Sequence, residues 1–428
     1  MRSRFAIPIA AAAVTLAGLA ASGCIGLASA SPSGMGSHIG AQDQALIARG
    51  RYLATVGDCQ ACHTDNASHG APYAGGKPVE TPFGVVLGAN ITPDRETGIG
   101  AWSDDEFDAA LRKGIMPDGG HLYPAMPYPF YAKMTRDDTR ALRAYLNTIA
   151  PQKRFVDSNR LPFPFNIRAL MAAWNFLYFS PGVYAPDKTK PVEWNRGAFL
   201  VEGPGHCGAC HTPKTWLGGD ETSRALRGGV IQGWFASDIT GNPDLGTGRW
   251  SIEDIVKYLK TGHNRFSAAT GSMAETVEDS TSNMSLEDLH AIAVYLKTVP
   301  YEQENHRTIA ADDTGMKAGK AIYVDSCSAC HAMNGEGSAN LFPSLAQSPN
   351  VRSRDATSLI RITLQGARSV ATAGEPTAPG MPTYAWLLND QQIADVLTYI
   401  RNSWGAAEPA VTADQVRDER AALAEKGD

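Results

Sequence analysis

Beyond its first 30 residues the chain has no run long and apolar enough to cross a bilayer. Positive charge is not in excess either: 38 Lys and Arg stand against 44 Asp and Glu, a formal charge of -6, with no basic block or stripe. That balance excludes nucleic acid as a partner. There is no glycine-rich dinucleotide fingerprint and no nucleophile constellation, so nothing in the sequence reads as a substrate-oxidising active site. Cysteine is scarce, at seven in 428 residues, and the few present are arranged rather than scattered.

Six of the seven cysteines fall in three Cys-x-x-Cys-His pentapeptides: Cys59/Cys62/His63, Cys207/Cys210/His211 and Cys327/Cys330/His331. Two thiols at this spacing add to the two vinyl groups of one haem, and the histidine that follows is held under the iron as its proximal ligand. Zinc or a redox disulfide would also use paired cysteines, but neither needs a histidine at a fixed place after each pair. Three motifs predict three covalently bound haem c groups.

The N-terminus fits the compartment that haem attachment requires. Arg2 and Arg4 precede an uncharged stretch from Phe5 to Ala30, read as an export signal over residues 1–30. Cleavage after Ala28-Ser29-Ala30 would remove Cys24 with the leader. Ala21-Ser22-Gly23-Cys24 is an alternative lipobox that would make Cys24 a lipidated first residue, and an uncleaved leader could serve as an anchor. The expected location is the periplasmic side of the bacterial inner membrane. The polar tail at 406–428 reads as a short exposed helix or a disordered segment, unable to anchor the chain.

Aligning the haem motifs reveals a repeat. Asn90-Ile91-Thr92, Gly100-Ala101-Trp102-Ser103, Phe107, Leu111 and Gly114 recur as Asp238-Ile239-Thr240, Gly248-Arg249-Trp250-Ser251, Ile255, Leu259 and Gly262. Gly50 with Tyr52, Gly197 with Phe199, and Gly319 with Tyr323 open three units. Leu142, Tyr145 and Leu146, then Ile292, Tyr295 and Leu296, then Val396, Tyr399 and Ile400 close them. Glycine lets two helices approach closely. The expected organisation is an all-α chain of three tandem class I cytochrome c domains, at 41–150, 191–300 and 312–405. A Pro-rich linker at 151–190 joins the first two.

Each unit needs a sixth iron ligand, and a methionine in a loop before the last helix suits electron transfer, because a thioether favours ferrous haem. Met126 stands 63 residues after His63, Met273 stands 62 after His211, and Met381 stands 50 after His331 in the unit that lacks the insert. Met116, Met134 and Met284 form no equivalent set. His121, His206, His263 and His290 do not recur and read as surface or supporting residues. Trp102 and Trp250 are expected in the cores against the haem edge. In the third unit a backbone carbonyl near Pro343 is placed to accept the His331 imidazole N–H. Gly75-Gly76 and Gly228-Gly229 stand there in the other two, so the expectation is not extended to them.

The linker carries Leu161-Pro162-Phe163-Pro164-Phe165-Asn166 and a helix around Trp174 that is apolar nearly all the way round. Its expected place is buried between the first two domains; the other reading is a docking surface for a subunit or the membrane.

Tyr52-Leu53, Asn90-Ile91-Thr92-Pro93-Asp94, Leu122-Tyr123-Pro124-Ala125-Met126-Pro127-Tyr128, Gly203-Pro204-Gly205-His206-Cys207 and Asp288-Leu289-His290-Ala291-Ile292-Ala293 resemble the tri-haem cytochrome c subunit of bacterial membrane-bound dehydrogenases. These include the alcohol, gluconate, sorbitol, fructose and glucose enzymes, and the likeness covers Gln44 to Asp418. It implies an electron-transfer subunit that takes electrons from a flavin- or PQQ-dependent dehydrogenase and passes them to ubiquinone at the inner membrane surface. Met273-Ala274-Glu275 is more similar to the flavin-linked members. The other classes considered are an independent electron shuttle and a haem peroxidase, the latter needing an open sixth position.

Overall fold

The computed structural model describes residues 40–428 except 304–306, 339–340 and 428. The expected export signal at 1–30, with Cys24, lies outside the described residues. The longer helices are, in chain order, α1 (Ala41–Val56), α2 (Asp104–Lys113), α3 (Arg136–Leu146), α4 (Leu170–Tyr178), α5 (Val192–Glu202) and α6 (Ile252–Thr261). They continue with α7 (Ser272–Asp279), α8 (Leu286–Leu296), α9 (Thr314–Ile322), α10 (Thr357–Gln365), α11 (Asp390–Arg401) and α12 (Ala413–Gly427).

Three helix crossings frame the chain: α1 on α3, α5 on α8 and α9 on α11. Each is built on a glycine. A Cβ on Gly50 would lie 1.8 Å from the Ala141 carbonyl oxygen, one on Gly197 1.9 Å from that of Ala291, and one on Gly319 2.1 Å from that of Asp395. Only hydrogen fits between the two backbones, and the Cβ atoms of Tyr145, Tyr295 and Tyr399 flank the three contacts. The sequence repeat thus marks one packing device used three times. The insert of the first two frames also repeats in detail: α2 and α6 start with Ser103/Glu106 and Ser251/Asp254 capping boxes and end at left-handed Gly114 and Gly262.

The all-α expectation is corrected by short hairpins. β1 (Pro78–Thr81) and β2 (Gly84–Leu87) pair antiparallel with Val79 opposite Val86, and β3 (Asn159–Arg160) extends the sheet beside Val86. β4 (Arg227–Ile231) pairs with β5 (Trp234–Asp238), and β6 (Ala367–Arg368) with β7 (Gly380–Met381). The strands have two to five residues, too few for period-two alternation to stand out among loop residues.

The first two frames interlock. Val56 of α1 is buried in the second core, while Phe199 of α5 packs against the first. At this junction Tyr52 Oη donates to Asp288 at 2.6 Å, and Arg196 donates to the same carboxylate through Nε and Nη2, both at 2.7 Å. Burial acts to raise the Asp288 pKa, but the Arg196 and Tyr52 bonds outweigh it and leave the carboxyl below its ordinary value. The resulting stabilisation is complete above the ordinary carboxylate pKa and is lost as pH falls through the depressed one. Asp288→Asn should therefore cost about 1–2 kcal/mol at neutral pH, discounted because Arg196 is partly exposed, and should flatten the acid limb of the stability curve. Urea unfolding across acidic and neutral pH checks both.

One expectation on the periphery is overturned and a second is refined. The linker helix α4 is not buried between domains: Trp174 is its one buried side chain, donating from Nε1 to the Leu217 carbonyl at 3.1 Å, whereas Phe176 is 90% exposed. Pro162, Pro164, Pro181 and Gly182 lead the chain out and back as a surface excursion, so the helix meets protein on one side only. The tail after residue 405 is neither disordered nor merely exposed. Val411 and Val416 are buried in the third core, and Arg420 of α12 donates to Asp390 at 2.8 Å and to the Ala385 and Leu388 carbonyls. Arg420 and Glu419 pair with the third frame while Asp414, Arg417 and Asp418 stay exposed, a division that composition alone does not show.

Candidate functional site

Each Cys-x-x-Cys-His motif follows the opening helix of a frame, and each histidine is oriented by a backbone carbonyl. Nδ1 of His63 lies 2.6 Å from the Ala89 oxygen, Nδ1 of His211 2.6 Å from the Ser237 oxygen, and Nδ1 of His331 3.1 Å from the Pro343 oxygen. A carbonyl only accepts, so Nδ1 carries the proton and Nε2 is left with its lone pair, the tautomer a metal requires. Burial lowers the pKa of all three imidazoles against the opposing effect of those carbonyls, holding the rings neutral.

The carbonyl near Pro343 is the one expected from sequence; those of Ala89 and Ser237 were not foreseen. Their signal lies in the repeat itself. Asn90 Oδ1 accepts from the Thr92 amide at 3.0 Å and from its hydroxyl at 2.7 Å, and Asp238 Oδ1 accepts from the Thr240 amide and hydroxyl, both at 2.7 Å. These Asx turns fix the chain directly after residues 89 and 237 and so aim the preceding carbonyl at the histidine.

The six cysteines of the motifs form no disulfide with one another. Burial pushes Cys59 up to about 12, Cys207 to about 12 and Cys327 to about 11. Cys62 keeps exposed surface, yet the protein crowding its other sides raises it to about 11. Burial, the main cause at each, disfavours the thiolate that disulfide exchange uses. Thiols destined for thioether bonds need no such activation, and a neutral imidazole with a free Nε2 completes a donor set that fits covalent haem.

Met126 lies in a turn, its amide donating to the Tyr123 carbonyl at 3.0 Å, and its side chain packs against the first core. Met273 is the second residue of α7 and packs with Ala269, Val277 and Val370. Met381 sits in β7 opposite Ala367, so the Met273 and Met381 segments both meet the stretch from Ala367 to Val370. Met134 and Met284 are buried inside the first and second cores, as filler.

The cytochrome c family model matches residues 47–150 and 316–404. The chain is 42% identical over 402 residues to the gluconate 2-dehydrogenase cytochrome c subunit of Pantoea cypripedii, covering 87% of this chain and 89% of that protein. It is 40% identical over 397 residues to the cytochrome c subunit of the quinone alcohol dehydrogenase of Gluconobacter oxydans, covering 87% and 81%. The fructose dehydrogenase cytochrome subunit of Gluconobacter japonicus is 35% identical over 445 residues, covering 98% and 90%. The chain belongs to the cytochrome c subunits of dehydrogenases. Its cytochrome c domains carry covalently bound haem c.

In this cytochrome subunit the segments of the first two motifs touch directly, and the hairpin that serves the second is bonded to the third frame. His206, just ahead of Cys207, places Nε2 3.2 Å from the Gly57 carbonyl ahead of Cys59, and Tyr131 Oη donates to that same oxygen at 2.8 Å. His206 is thus a bridge between the first and second motifs. Asp58, beside it, has a buried oxygen with no hydrogen-bond partner; burial, reinforced by Asp279 and Glu275 against Lys77, raises its pKa to about 8. From the second motif the chain of contacts continues through the β4–β5 hairpin. Ser237, which holds His211, is hydrogen-bonded to Asn350, and Phe235 exchanges bonds with Ser358 of α10 at 2.8 and 3.1 Å.

Proposed function

We propose that the chain is the electron-transfer subunit of a quinone-reducing dehydrogenase complex, built of three cytochrome c domains, each with one haem c. It takes electrons from a flavin- or PQQ-dependent partner that oxidises an alcohol, sugar or sugar acid. It passes them to ubiquinone at the periplasmic face of the inner membrane. What supports this reading is the threefold recurrence of a cysteine pair directly ahead of a histidine whose Nδ1 is held by a backbone carbonyl.

When bound, each haem supplies a one-electron iron couple. The residues of the chain attach it through Cys59 and Cys62, Cys207 and Cys210, and Cys327 and Cys330. Nε2 of His63, His211 and His331 would bind its iron from rings oriented by the Nδ1 contacts, and Met126, Met273 and Met381 would serve as its soft second protein ligands. An occupied sixth position removes the open iron that peroxidase chemistry needs.

Single Met126→Ala, Met273→Ala and Met381→Ala variants test the ligand set. Each should lower one midpoint potential by more than about 59 mV, the one-electron equivalent of a tenfold preference, and let cyanide or carbon monoxide bind one haem. Met134→Ala and Met284→Ala should leave all potentials in place. Redox titration of the purified holoprotein reads this directly, and a shift in the second group would reassign the ligand of that domain.

A further inference from the structure

We infer that the linker excursion around α4, together with the loop that follows the second haem motif, is the surface by which this subunit inserts into the lipid bilayer. The inference rests on the membrane location proposed above and says which part of the molecule meets the lipid.

Three observations carry it. Phe163 is 79% exposed, Phe176 90%, Leu177 59% and Trp216 85%, so four large apolar side chains project into solvent from neighbouring segments. The segments are tied together: Tyr178 Oη meets Thr215 Oγ1 at 3.1 Å and Trp174 Nε1 meets the Leu217 carbonyl at 3.1 Å, one bond on each side of Trp216. Between Asp157 and Asp187 the chain has no acidic residue, although acidic residues number 44 in 428 and outnumber basic ones.

A membrane surface is the occupant these features favour. Side chains that project separately from a helix and two loops need a medium that closes around each of them, which acyl chains do. A protein partner would need a matching cavity for every one. Lack of carboxylates in the linker removes repulsion from anionic headgroups, Asp220 and Glu221 of the loop are paired with Lys214 and Arg224, and a mix of Phe, Leu and Trp is the composition of interfacial insertion. No described helix is long and apolar enough to span the bilayer, so insertion here is shallow. The surface also lies against functional segments. Tyr123, three residues before Met126, donates to the Phe165 carbonyl at 2.8 Å, and Trp216 is five residues after His211. Insertion would bring the first two haem-binding segments to the lipid, where a hydrophobic quinone resides.

The test compares the holocytochrome with a Phe176→Ser/Leu177→Ser/Trp216→Ser variant, both carrying Cys24→Ala so that no acyl chain contributes. Because these side chains touch little protein, haem content and thermal stability should match. Co-sedimentation with phosphatidylethanolamine–phosphatidylglycerol vesicles should be roughly tenfold or more weaker for the variant, and the difference should persist in high salt. Reduction by the partner dehydrogenase in detergent should be equal for the two. Equal vesicle binding would overturn the inference, as would normal vesicle binding with loss of the dehydrogenase, which would make the surface a subunit interface. If neither protein associates with or is reduced by a dehydrogenase, the subunit reading fails while the vesicle result stands alone.

Discussion

A chain with Cys207→Ala and Cys210→Ala is expected to carry two haems instead of three and to lose the order of its second helix pair. Cys207 packs at the edge of the core formed by Leu200, Val201, Ile292 and Leu296, where a covalently held porphyrin would supply apolar surface that no side chain replaces. A group bound only by the folded state stabilises it, and tethering makes that contribution permanent. The damage should spread to the first pair, because Val56 is buried in the second core and Tyr52 bonds to Asp288 on α8. Pyridine haemochrome assay and intact mass give the haem count, and thermal unfolding gives the stability. A variant that still holds three covalent haems would contradict the attachment scheme.

Gly50→Ala is expected to destabilise the first helix pair by roughly 3–5 kcal/mol, a large part of the stability of an ordinary domain. The new methyl carbon would sit 1.8 Å from the Ala141 carbonyl oxygen and 2.5 Å from its carbon, and backbone cannot give way as a flexible side-chain tip can. The helices must separate, and Tyr145 with them. Gly374→Ala is the control: its added carbon would find only Thr261 Cγ2, at 3.8 Å, and should change stability by less than about 0.5 kcal/mol. Thermal denaturation of both variants separates a steric effect from a general cost of replacing glycine.

The parts legible in the sequence were those written as fixed spacings. The Cys-x-x-Cys-His motifs and the glycine–tyrosine crossings recur three times, and each recurrence corresponds to one contact in the fold. The Pro343 carbonyl was legible because proline fixes its neighbourhood, whereas those of Ala89 and Ser237 were hidden, a backbone oxygen having no letter of its own. Asn90-Ile91-Thr92 and Asp238-Ile239-Thr240 pointed to them only once the Asx turns were seen. The hairpins escaped notice because strands of two to five residues show no period. The burial of α4 and the attachment of the tail helix were misjudged for one shared reason: apolar composition does not say that a helix is covered, nor polar composition that it is free. Phe176 is left in solvent, and Arg420 is held by three partners.

The central claim is that one chain relays electrons through three haems from a partner dehydrogenase. The most direct measurement is anaerobic titration of the complex purified from native membranes, following the haem α-band while the substrate of the co-purified dehydrogenase is added. The account predicts three covalent haems per chain by mass, all reduced by substrate and reoxidised by a ubiquinone analogue. A chain that carries two haems, or whose haems stay oxidised while its partner turns over, would contradict it.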